Sequence, residues 1–242
     1  MGIKVGIYTI NSLLNSIKNT IFENNKTVIA NHNLHSLYLC LKDKTLNDWI
    51  NSQKIIHADG MLIIYLANLL NLISIKKPKL KRINRITYVD FTPKIFEQAQ
   101  KENYRIVYVG ATQESLEKGL INIKKLFPNL NITGFNGFEL DNLTEKINKL
   151  NPNILFVGMG MPLQEKWIMK NINILNTNVI LPCGAAIDYY SGLKKTPPRW
   201  AGKIGIEWLF RFIDEPKRLW KRYFLEPIYI LIRIMLWPVW KS

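Results

Sequence analysis

Asp59 is the first residue whose type and position suggest chemistry. It lies in the segment HADGM at 57–61, after a short apolar stretch and before an apolar helical pattern. We therefore expect its carboxylate at the carboxyl edge of a sheet, where it can take a proton from an attacking hydroxyl. Asp before Gly is also typical of a helix start, where the side chain caps backbone amides. The local sequence leaves both roles open.

A glycine turn with polar side chains occupies the segment GMGMPLQEKW at 158–167. The turn brings backbone amides together, and Gln164 and Glu165 project from the first turn of the helix that follows. Gln164 can hydrogen-bond the hydroxyls or the amide of a ligand. Glu165 can instead simply complement the dipole of its helix. The segment thus predicts a ligand-binding turn, with a structural role for Glu165 as the alternative.

Glycines stand at the ends of several predicted strands, including Gly110, Gly158 and, just beyond its strand, Gly184. Open α/β folds bind ligands at this edge of the sheet, where helix N-termini offer free amides to a diphosphate. The same glycines can merely permit tight turns. Neither the dinucleotide fingerprint G-x-G-x-x-G nor the P-loop pattern occurs, which disfavours a dinucleotide enzyme and a P-loop NTPase.

Three arginines, Arg211, Arg218 and Arg222, share one face in an approximate helical register that Pro216 interrupts. Guanidinium groups bind phosphate oxygens bidentately, so a row of them suits a diphosphate. A solvated basic face is the ordinary alternative for a run of charges. Interleaved aromatic residues indicate contact with apolar material as well; they are Trp208, Phe210, Phe212, Trp220 and Phe224.

A second basic run, KKPKLKRINR at 76–85, contains six cations and no acid. It can form a solvated loop, a phosphate site or a second contact with a membrane. Among its cations, Arg85 is placed to reach the cleft that contains Asp59. Solvation is the simpler explanation of the other five.

Apolar runs that alternate with helical patterns must position these residues. Strands are predicted over 26–30, 54–57, 105–109, 132–134, 153–157 and 178–181, and helices over 34–41, 61–73, 113–126 and up to 171. Such alternation is typical of parallel βαβ units. We therefore predict the α/β fold class, with a Rossmann-like, mostly parallel sheet flanked by helices, over residues 1–193.

The chain changes character after Gly192. Residues 194–242 contain eleven Lys or Arg against four acids, and five of the seven tryptophans. The apolar segment at 228–240 is too short to span a membrane and contains Arg233 and Pro238, so we expect it to lie on a bilayer. Residues 194–242 thus predict a basic, aromatic-rich helical appendage that associates with a membrane. The similarly short apolar run at 61–73 is predicted to be a buried helix.

The composition of the whole chain points to an anionic partner. Lys and Arg number 33 against 18 Asp and Glu among 242 residues, a net charge of +15. Nucleic acid, a phosphorylated substrate and an anionic membrane all fit such a surplus. The two cysteines have no metal-binding spacing and fit a reducing compartment. No signal-peptide pattern opens the sequence.

Eight segments occur in an order and at spacings that extend over nearly the entire chain. They are ANHNLHSL at 30–37, HADGM at 57–61, NRITYVDF at 84–91, VYVGAT at 107–112, VGMGMPLQEKW at 157–167, CGAAIDYYSG at 183–192, TPPRW at 196–200 and GIEWLFRFIDEPKR at 205–218. Together they resemble the WecG/TagA/CpsF glycosyltransferase family. The combination is far more specific than any one segment.

The resemblance implies an inverting enzyme that moves a hexose-type sugar, N-acetylmannosamine or a relative of it, from a UDP donor to a polyprenyl-diphosphate-linked saccharide. The pathway would be bacterial cell-surface polysaccharide synthesis, on the cytoplasmic face of the inner membrane. It implies a peripheral enzyme that binds an anionic membrane surface, needs no metal or other cofactor and binds no nucleic acid. A homo-oligomer fits the same expectations. No Asp-x-Asp pair is present to hold a metal ion.

The resemblance also implies roles for individual residues. Asp59 becomes the catalytic base. The donor-binding residues would be Asn31, Asn33, Gly110, Gly158, Gly160, Gln164, Glu165, Gly184 and Asp188. The residues that bind the acceptor diphosphate would be Arg85, Arg211, Arg218 and Arg222. The appendage would complete the site at the membrane.

Three positions depart from the usual family pattern. Asn31 replaces a frequent threonine, Tyr88-Val89 replaces a small Gly-Thr type pair, and Thr196-Pro197 replaces Arg-Ala. The first two lie near the expected donor sugar, so they leave its identity open. Two other classes of function remain as alternatives: a basic nucleic-acid-binding protein, supported by charge and aromatic residues, and a scaffold subunit without catalysis.

Overall fold

The computed structural model describes residues 3–73, 79–139 and 141–236 of the chain. Within these ranges six strands form one parallel sheet: Thr27–His32 (β1), Ile55–Ala58 (β2), Ile106–Gly110 (β3), Ile132–Phe135 (β4), Ile154–Gly158 (β5) and Val179–Pro182 (β6). Their spatial order is β2-β1-β6-β5-β3-β4. Each strand overlaps a predicted one, so the α/β class and the parallel sheet are confirmed.

The central strands β3 and β5 are apolar along their whole length because both faces of the sheet are covered. Phe156 packs with Phe96 in one buried cluster, whereas Leu155 and Val157 pack with Trp167 in another. Successive side chains of a strand point to opposite faces, so one continuous apolar run supplies both cores. These two cores fix the strand ends that form the site.

Helices of the α/β body connect and cover the strands. They are Ile10–Phe22 (α1), Leu34–Lys42 (α2), Lys44–Ser52 (α3), Met61–Ile73 (α4), Tyr88–Glu102 (α5), Gln113–Leu126 (α6), Leu143–Leu150 (α7), Leu163–Asn171 (α8) and Ala186–Ser191 (α9). The helices predicted over 34–41, 61–73, 113–126 and up to 171 are confirmed as α2, α4, α6 and α8. Before α5, the amide of Ile86 donates to the Ala58 carbonyl (2.9 Å), which returns the chain to the edge of β2.

Helix α4 is only half buried. Ile63 and Ile64 are each 2% exposed, whereas Leu62, Tyr65 and Leu69 are 46%, 56% and 51% exposed. The prediction of a buried helix over 61–73 is therefore wrong for one face. An apolar sequence on all sides predicts burial only where neighbours cover every side, and the protein covers one side of α4.

The C-terminal residues form a series of short helices, as their composition predicted. These are Arg199–Ile204 (α10), Glu207–Asp214 (α11), Pro216–Trp220 (α12), a π-helical turn at Lys221–Leu225, and Glu226–Leu236 (α13). Breaks fall at Gly205, whose φ is +82°, and at Pro216. Helix α13 packs on α2, where the Tyr38 and Tyr229 rings meet edge to face with centroids 5.3 Å apart. The appendage is thus docked on the body.

Part of the predicted organisation of the chain stays a prediction. The boundary near residue 193 stays a prediction. Residues 237–240 of the expected bilayer segment and residues 76–78 of the basic run lie outside the described residues. In the part of the chain that is described, no helix combines the length and apolarity needed to cross a bilayer.

Candidate active site

Asp59 lies directly after β2, at the carboxyl edge of the sheet. Its backbone amide donates to the His32 carbonyl at the end of β1 (2.8 Å). Its Oδ2 faces the side-chain nitrogen of Asn33 at 3.5 Å. Because α4 begins at Met61, Gly60 occupies the N-cap position and Asp59 precedes it. The position of Asp59 therefore favours the chemical role over the capping role.

The side chain of Asn33 is fixed by a helix cap and faces Asp59. Its Oδ1 accepts from the backbone amide of Ser36 at 3.0 Å and caps α2, which leaves Nδ2 for the carboxylate. Asn31 is buried at the end of β1 and donates to the carbonyl of Pro182 in β6 at 3.0 Å. Both asparagines therefore lie at the strand edge that holds Asp59.

Three arginines act electrostatically on Asp59. Burial raises the pKa of its carboxyl, while Arg211, the Asn33 hydrogen bond, Arg85 and Arg222 oppose that shift. A raised pKa makes the carboxylate a stronger base, and the nearby cations favour its ionised form. The structure thus brings together Asp59 and three of the four arginines predicted from the sequence.

Arg85 is already paired with two carboxylates. Its guanidinium, 12% exposed, contacts Asp90 at 3.2 Å and Glu207 at 2.5 Å. Asp90 belongs to α5 of the body and Glu207 to α11 of the appendage. Gly202 lies close to this pair, since a Cβ there would approach Oε1 of Glu207 to 2.4 Å. Arg85 therefore joins the appendage to the body beside Asp59, and its role toward a diphosphate stays a prediction.

Neither Arg211 nor Arg222 forms a salt bridge among the described residues, although Asp59 and Glu207 attract Arg211 electrostatically and Glu226 attracts Arg222. The Arg211 guanidinium lies over the ring of Tyr189, 5.7 Å from its centroid, and its buried Nε makes no hydrogen bond. Burial, together with the like charges of Arg211 and Arg218, lowers the pKa of the Arg222 guanidinium. Neighbouring cations in this state are stabilised by an anion. The two residues therefore form a candidate phosphate site beside Asp59.

Arg218 differs from this pair, although its charge acts on Arg222. Its side chain is exposed and contacts Glu215, three residues earlier. The helix breaks at Pro216, so the register of one continuous helix does not apply across Arg211 and Arg218. The role of Arg218 in binding a diphosphate stays a prediction.

Gln164 is fully buried and joins two loops. Its Oε1 accepts from the amides of Gly160 at 3.2 Å and Gly184 at 3.0 Å, and its Nε2 donates to Glu165 at 2.7 Å. Burial raises the pKa of Glu165 to about 7, so this side chain is not a solvated charge at a helix end. Direct contact of Gln164 or Glu165 with a donor stays a prediction: Gln164 is engaged by the two loops, whereas Oε2 of Glu165 is buried without a hydrogen-bond partner in the described structure.

The four glycines of the predicted donor site divide into two kinds. Gly110 and Gly158 pair across β3 and β5, and a Cβ on Gly158 would lie 2.0 Å from the hydroxyl of Tyr108. Gly160 and Gly184 have φ of +83° and +57° with open space beside them. Close packing requires glycine at the first two, of which Gly110 also has a φ of +148°, and turn conformation requires it at the second two. Their contact with a donor stays a prediction.

Asp188 holds three elements together. Its carboxylate accepts from Ser115 Oγ of α6 at 2.7 Å and faces Lys194 Nζ at 3.4 Å. Since Asp188 is part of α9, these contacts connect α6, α9 and the start of the appendage. Its assignment to the donor stays a prediction.

Tyr88 belongs to the site, although no role was predicted for it. Its ring packs edge-on against His57, with centroids 6.2 Å apart. Its hydroxyl and Oδ1 of Asn31 are both buried without a hydrogen-bond partner in the described structure. Burial, with Cys183 and Asp59 nearby, raises the pKa of the phenol. The Asn31 side chain opposes that rise, so the two side chains act on each other at the end of β1. The only signal in the sequence was a large residue where relatives carry a small one.

Comparisons with known proteins point in the same direction as this geometry. The model of the glycosyl transferase WecG/TagA/CpsF family matches residues 1–242. Proteins of Staphylococcus aureus strains NCTC 8325 / PS 47 and COL, both named N-acetylglucosaminyldiphosphoundecaprenol N-acetyl-beta-D-mannosaminyltransferase, are 28% identical over 210 residues. The match covers 81% of this chain and 80% of each relative. The protein of the same name from strain MRSA252 shows the same identity and coverage.

These matches decide between the classes of function that the sequence left open. They indicate a glycosyltransferase over the whole chain and do not favour a nucleic-acid-binding protein. The carboxylate and the arginines at the sheet edge are of the types that such an enzyme needs. The chain belongs to the glycosyl transferase WecG/TagA/CpsF family.

Proposed function

We propose that this glycosyltransferase moves an N-acetylmannosamine-type hexose from a UDP-sugar to a polyprenyl-diphosphate-linked saccharide, with inversion at the anomeric carbon. The names of the relatives supply the sugar and the lipid-linked acceptor. One structural observation carries the proposal: the half-buried Asp59 carboxylate, whose pKa is raised, lies within electrostatic reach of Arg211 and Arg222, and neither arginine forms a salt bridge among the described residues. This arrangement combines a base for a hydroxyl with a site for phosphate oxygens.

The reaction is a single displacement in which Asp59 is the base. The acceptor hydroxyl loses its proton to the Asp59 carboxylate while its oxygen attacks the anomeric carbon of the donor. The bond from that carbon to the UDP oxygen breaks, and UDP leaves with the electron pair. Asn33 holds the carboxylate in position through its amide. A base whose pKa lies nearer to the working pH is more effective in such a step.

Arg211 and Arg222 bind the diphosphate of the acceptor in this proposal. The guanidinium charges attract phosphate oxygens, and Tyr189 supports the Arg211 group from one side. A diphosphate held next to Asp59 places the linked sugar at the base. Arg85 stays with Asp90 and Glu207 and keeps the appendage closed over the site.

The proposal assigns charge compensation to arginine and includes no resident metal ion. Within the described ranges, no group of three or more His, Cys, Asp or Glu side chains is placed to hold one. Arginine can stabilise phosphate charge without a metal. Activity in EDTA tests this prediction.

We also propose a peripheral enzyme at the cytoplasmic face of the bacterial membrane, in cell-surface polysaccharide synthesis. The relatives act on an undecaprenol-linked sugar by name, and such a lipid resides in a bilayer. The net charge of +15 suits an anionic membrane surface. Apolar residues exposed on α13, such as Ile228 and Met235, support contact with lipid.

Incubation with a panel of UDP-sugars and a synthetic lipid-diphosphate saccharide, read by mass spectrometry, tests this function. We expect transfer from the N-acetylmannosamine donor and UDP release. Asp59→Asn should lower turnover by roughly a hundredfold or more, the size of a general-base effect, while UDP binding by calorimetry stays unchanged. Asp214→Asn, a change at an exposed aspartate of α11, is the matched control. Near-normal turnover of Asp59→Asn would remove this residue from the mechanism.

A further inference from the structure

Helix α4 exposes an apolar face that the body leaves uncovered. Leu62, Tyr65 and Leu69 follow at helical spacing and form this face, while Ile63 and Ile64 on the other side enter a buried cluster. Leu70 is exposed beside them. Soluble proteins seldom expose a contiguous apolar surface without a partner for it. We therefore expect this face to bind a partner.

The exposed face of α13 adjoins the same buried cluster. Ile230 of α13 and Ile63 of α4 both belong to that cluster. The outer side of α13 and of the turn before it is apolar and exposed, through Phe224, Leu225, Ile228, Leu231, Ile232 and Met235. The body and the appendage thus each contribute one exposed apolar helix around a shared core.

Cations are held next to α4 by two hydrogen bonds. Asn68 of α4 donates to the carbonyl of Leu80 and accepts from its amide, each at 2.8 Å. Leu80 packs into the cluster, so its neighbours Lys79 and Lys81 are fixed beside the helix with exposed side chains. This part of the basic run is therefore not a free loop.

Acidic groups are missing from both helix faces. The sequence of α4 contains no charged residue, and the one acid of α13, Glu226, is buried against His35 at 2.8 Å. Arg233 of α13 is exposed. An apolar surface flanked by the exposed cations Lys79, Lys81 and Arg233 complements lipid tails and anionic headgroups.

We propose that α4 is a second membrane-contacting helix, and that an anionic bilayer covers α4 and α13 together. The inference rests on the membrane-associated enzyme proposed above and adds the α/β body to the contact. A second copy of the chain fits less well, because pairing this face with itself would bring Lys79 and Lys81 of both copies together. A bilayer containing anionic lipid has the opposite charge.

The position of α4 gives this contact a consequence for catalysis. Helix α4 begins two residues after Asp59, so the apolar face starts within about one helical turn of the base. A bilayer on α4 holds the diphosphate of a lipid-linked acceptor at the level of Asp59, Arg211 and Arg222. Membrane binding and substrate presentation are then the same event.

Sedimentation of the full chain with vesicles tests the proposal. The variant combines Leu62→Gln, Tyr65→Gln and Leu69→Gln, and the matched control combines Ile121→Gln, Leu126→Gln and Ile174→Gln, which are exposed apolar residues of the body far along the chain from α4. On vesicles of phosphatidylcholine with phosphatidylglycerol, we expect the α4 variant to bind at least about tenfold more weakly and the control to bind normally. Equal binding of both would overturn the role of α4.

A gain of signal avoids any question about folding of the variant. Burial raises the pKa of the thiols of Cys40 and Cys183, so a polarity-sensitive dye will label a cysteine introduced by Leu69→Cys. Its fluorescence should rise on anionic vesicles, and the same dye after Ile121→Cys should not respond. If the Leu69→Cys dye responds to protein concentration and not to vesicles, the face is an interface between copies and the proposal is wrong.

Activity on two acceptors separates this inference from the proposed function. With a short-chain, water-soluble lipid-diphosphate acceptor, the α4 variant should be as active as the wild type, because the substitutions leave Asp59 and the arginines intact. With the long-chain acceptor in vesicles it should be slower. Inactivity of the wild type on both acceptors would contradict the proposed function and leave the vesicle-binding result to decide on α4.

Discussion

The two sides of the sheet edge differ in how their polar groups are satisfied. Near β5 and β6, Gln164 and Asp188 form hydrogen bonds with other parts of the protein, and Glu165 Oε2 is the exception, buried without a partner in the described structure. Near β1 and β2, Arg211 and Arg222 form no salt bridge in the described structure, and the buried Arg211 Nε and Tyr88 hydroxyl have no hydrogen-bond partner there. Residues of similar type were predicted for both sides. The difference shows that residue type alone does not distinguish polar residues that hold loops in place from polar residues that are free to bind a ligand.

Removing Arg211 and Arg222, near β1 and β2, is expected to have the largest effect on activity. Arg211→Ala with Arg222→Ala should lower kcat/KM for the lipid-linked acceptor by roughly a hundredfold or more, since a hydrogen bond to a charged group contributes about 1.5–3 kcal/mol. Arg218→Ala is the control, because this exposed side chain contacts Glu215, and we expect at most a small change. Steady-state kinetics measures both. Equal losses for Arg218→Ala and for the double variant would contradict the division.

Adding a methyl group at Gly158, near β5 and β6, should lower the stability of the fold more than it weakens ligand binding. A Cβ from Gly158→Ala would lie 2.0 Å from the Tyr108 hydroxyl and 2.6 Å from the Gly184 carbonyl. Overpacking of this kind costs about 1–3 kcal/mol. Thermal unfolding should show the loss, whereas Gly137→Ala, which approaches Gly110 Cα at 2.9 Å, should cost less. Full stability with weaker UDP binding would mean that Gly158 contacts the donor.

Weakening the contact between the appendage and the body should have a smaller effect on stability. His35 and Glu226 pair at 2.8 Å between α2 and α13, and Glu226→Gln keeps an acceptor but removes its charge. We expect the free energy of unfolding to fall by about 1 kcal/mol, with faster proteolytic cleavage in the appendage. Glu145→Gln, at an exposed pair on α7, should leave both unchanged. Unchanged proteolysis of Glu226→Gln would show that this contact does not hold α13.

Chelation should have no effect. If arginine provides the charge compensation, activity in EDTA equals activity in buffer, and added Mg²⁺ does not raise it. Loss of activity on chelation, restored by a divalent cation, would show that a metal ion, and not Arg211 and Arg222, compensates the phosphate charge.

The sequence predicted the sheet well and the site only in part. Strands such as β5 are continuous apolar runs that end at glycine, a pattern that needs no knowledge of the neighbours. Helix α5 was not predicted, because it lies next to a basic run and contains Pro93, which usually breaks a helix. The partner of Arg85, Glu207, is 122 residues away. Such pairing depends on the docking of the appendage, which no local pattern encodes.

The central claim is that Asp59 is the base, and the pH dependence of kcat/KM tests it most directly. Burial raises the Asp59 pKa above its ordinary value of 3.8, and only the ionised form accepts a proton, so activity should fall as the pH drops through this raised pKa. In the wild type, we predict that kcat/KM falls on the acid side at a pH above the ordinary pKa of an aspartate. The residual activity of Asp59→Asn should not show this fall. The same fall in the variant would contradict the account and point to another buried acid, such as Glu165, whose pKa is about 7.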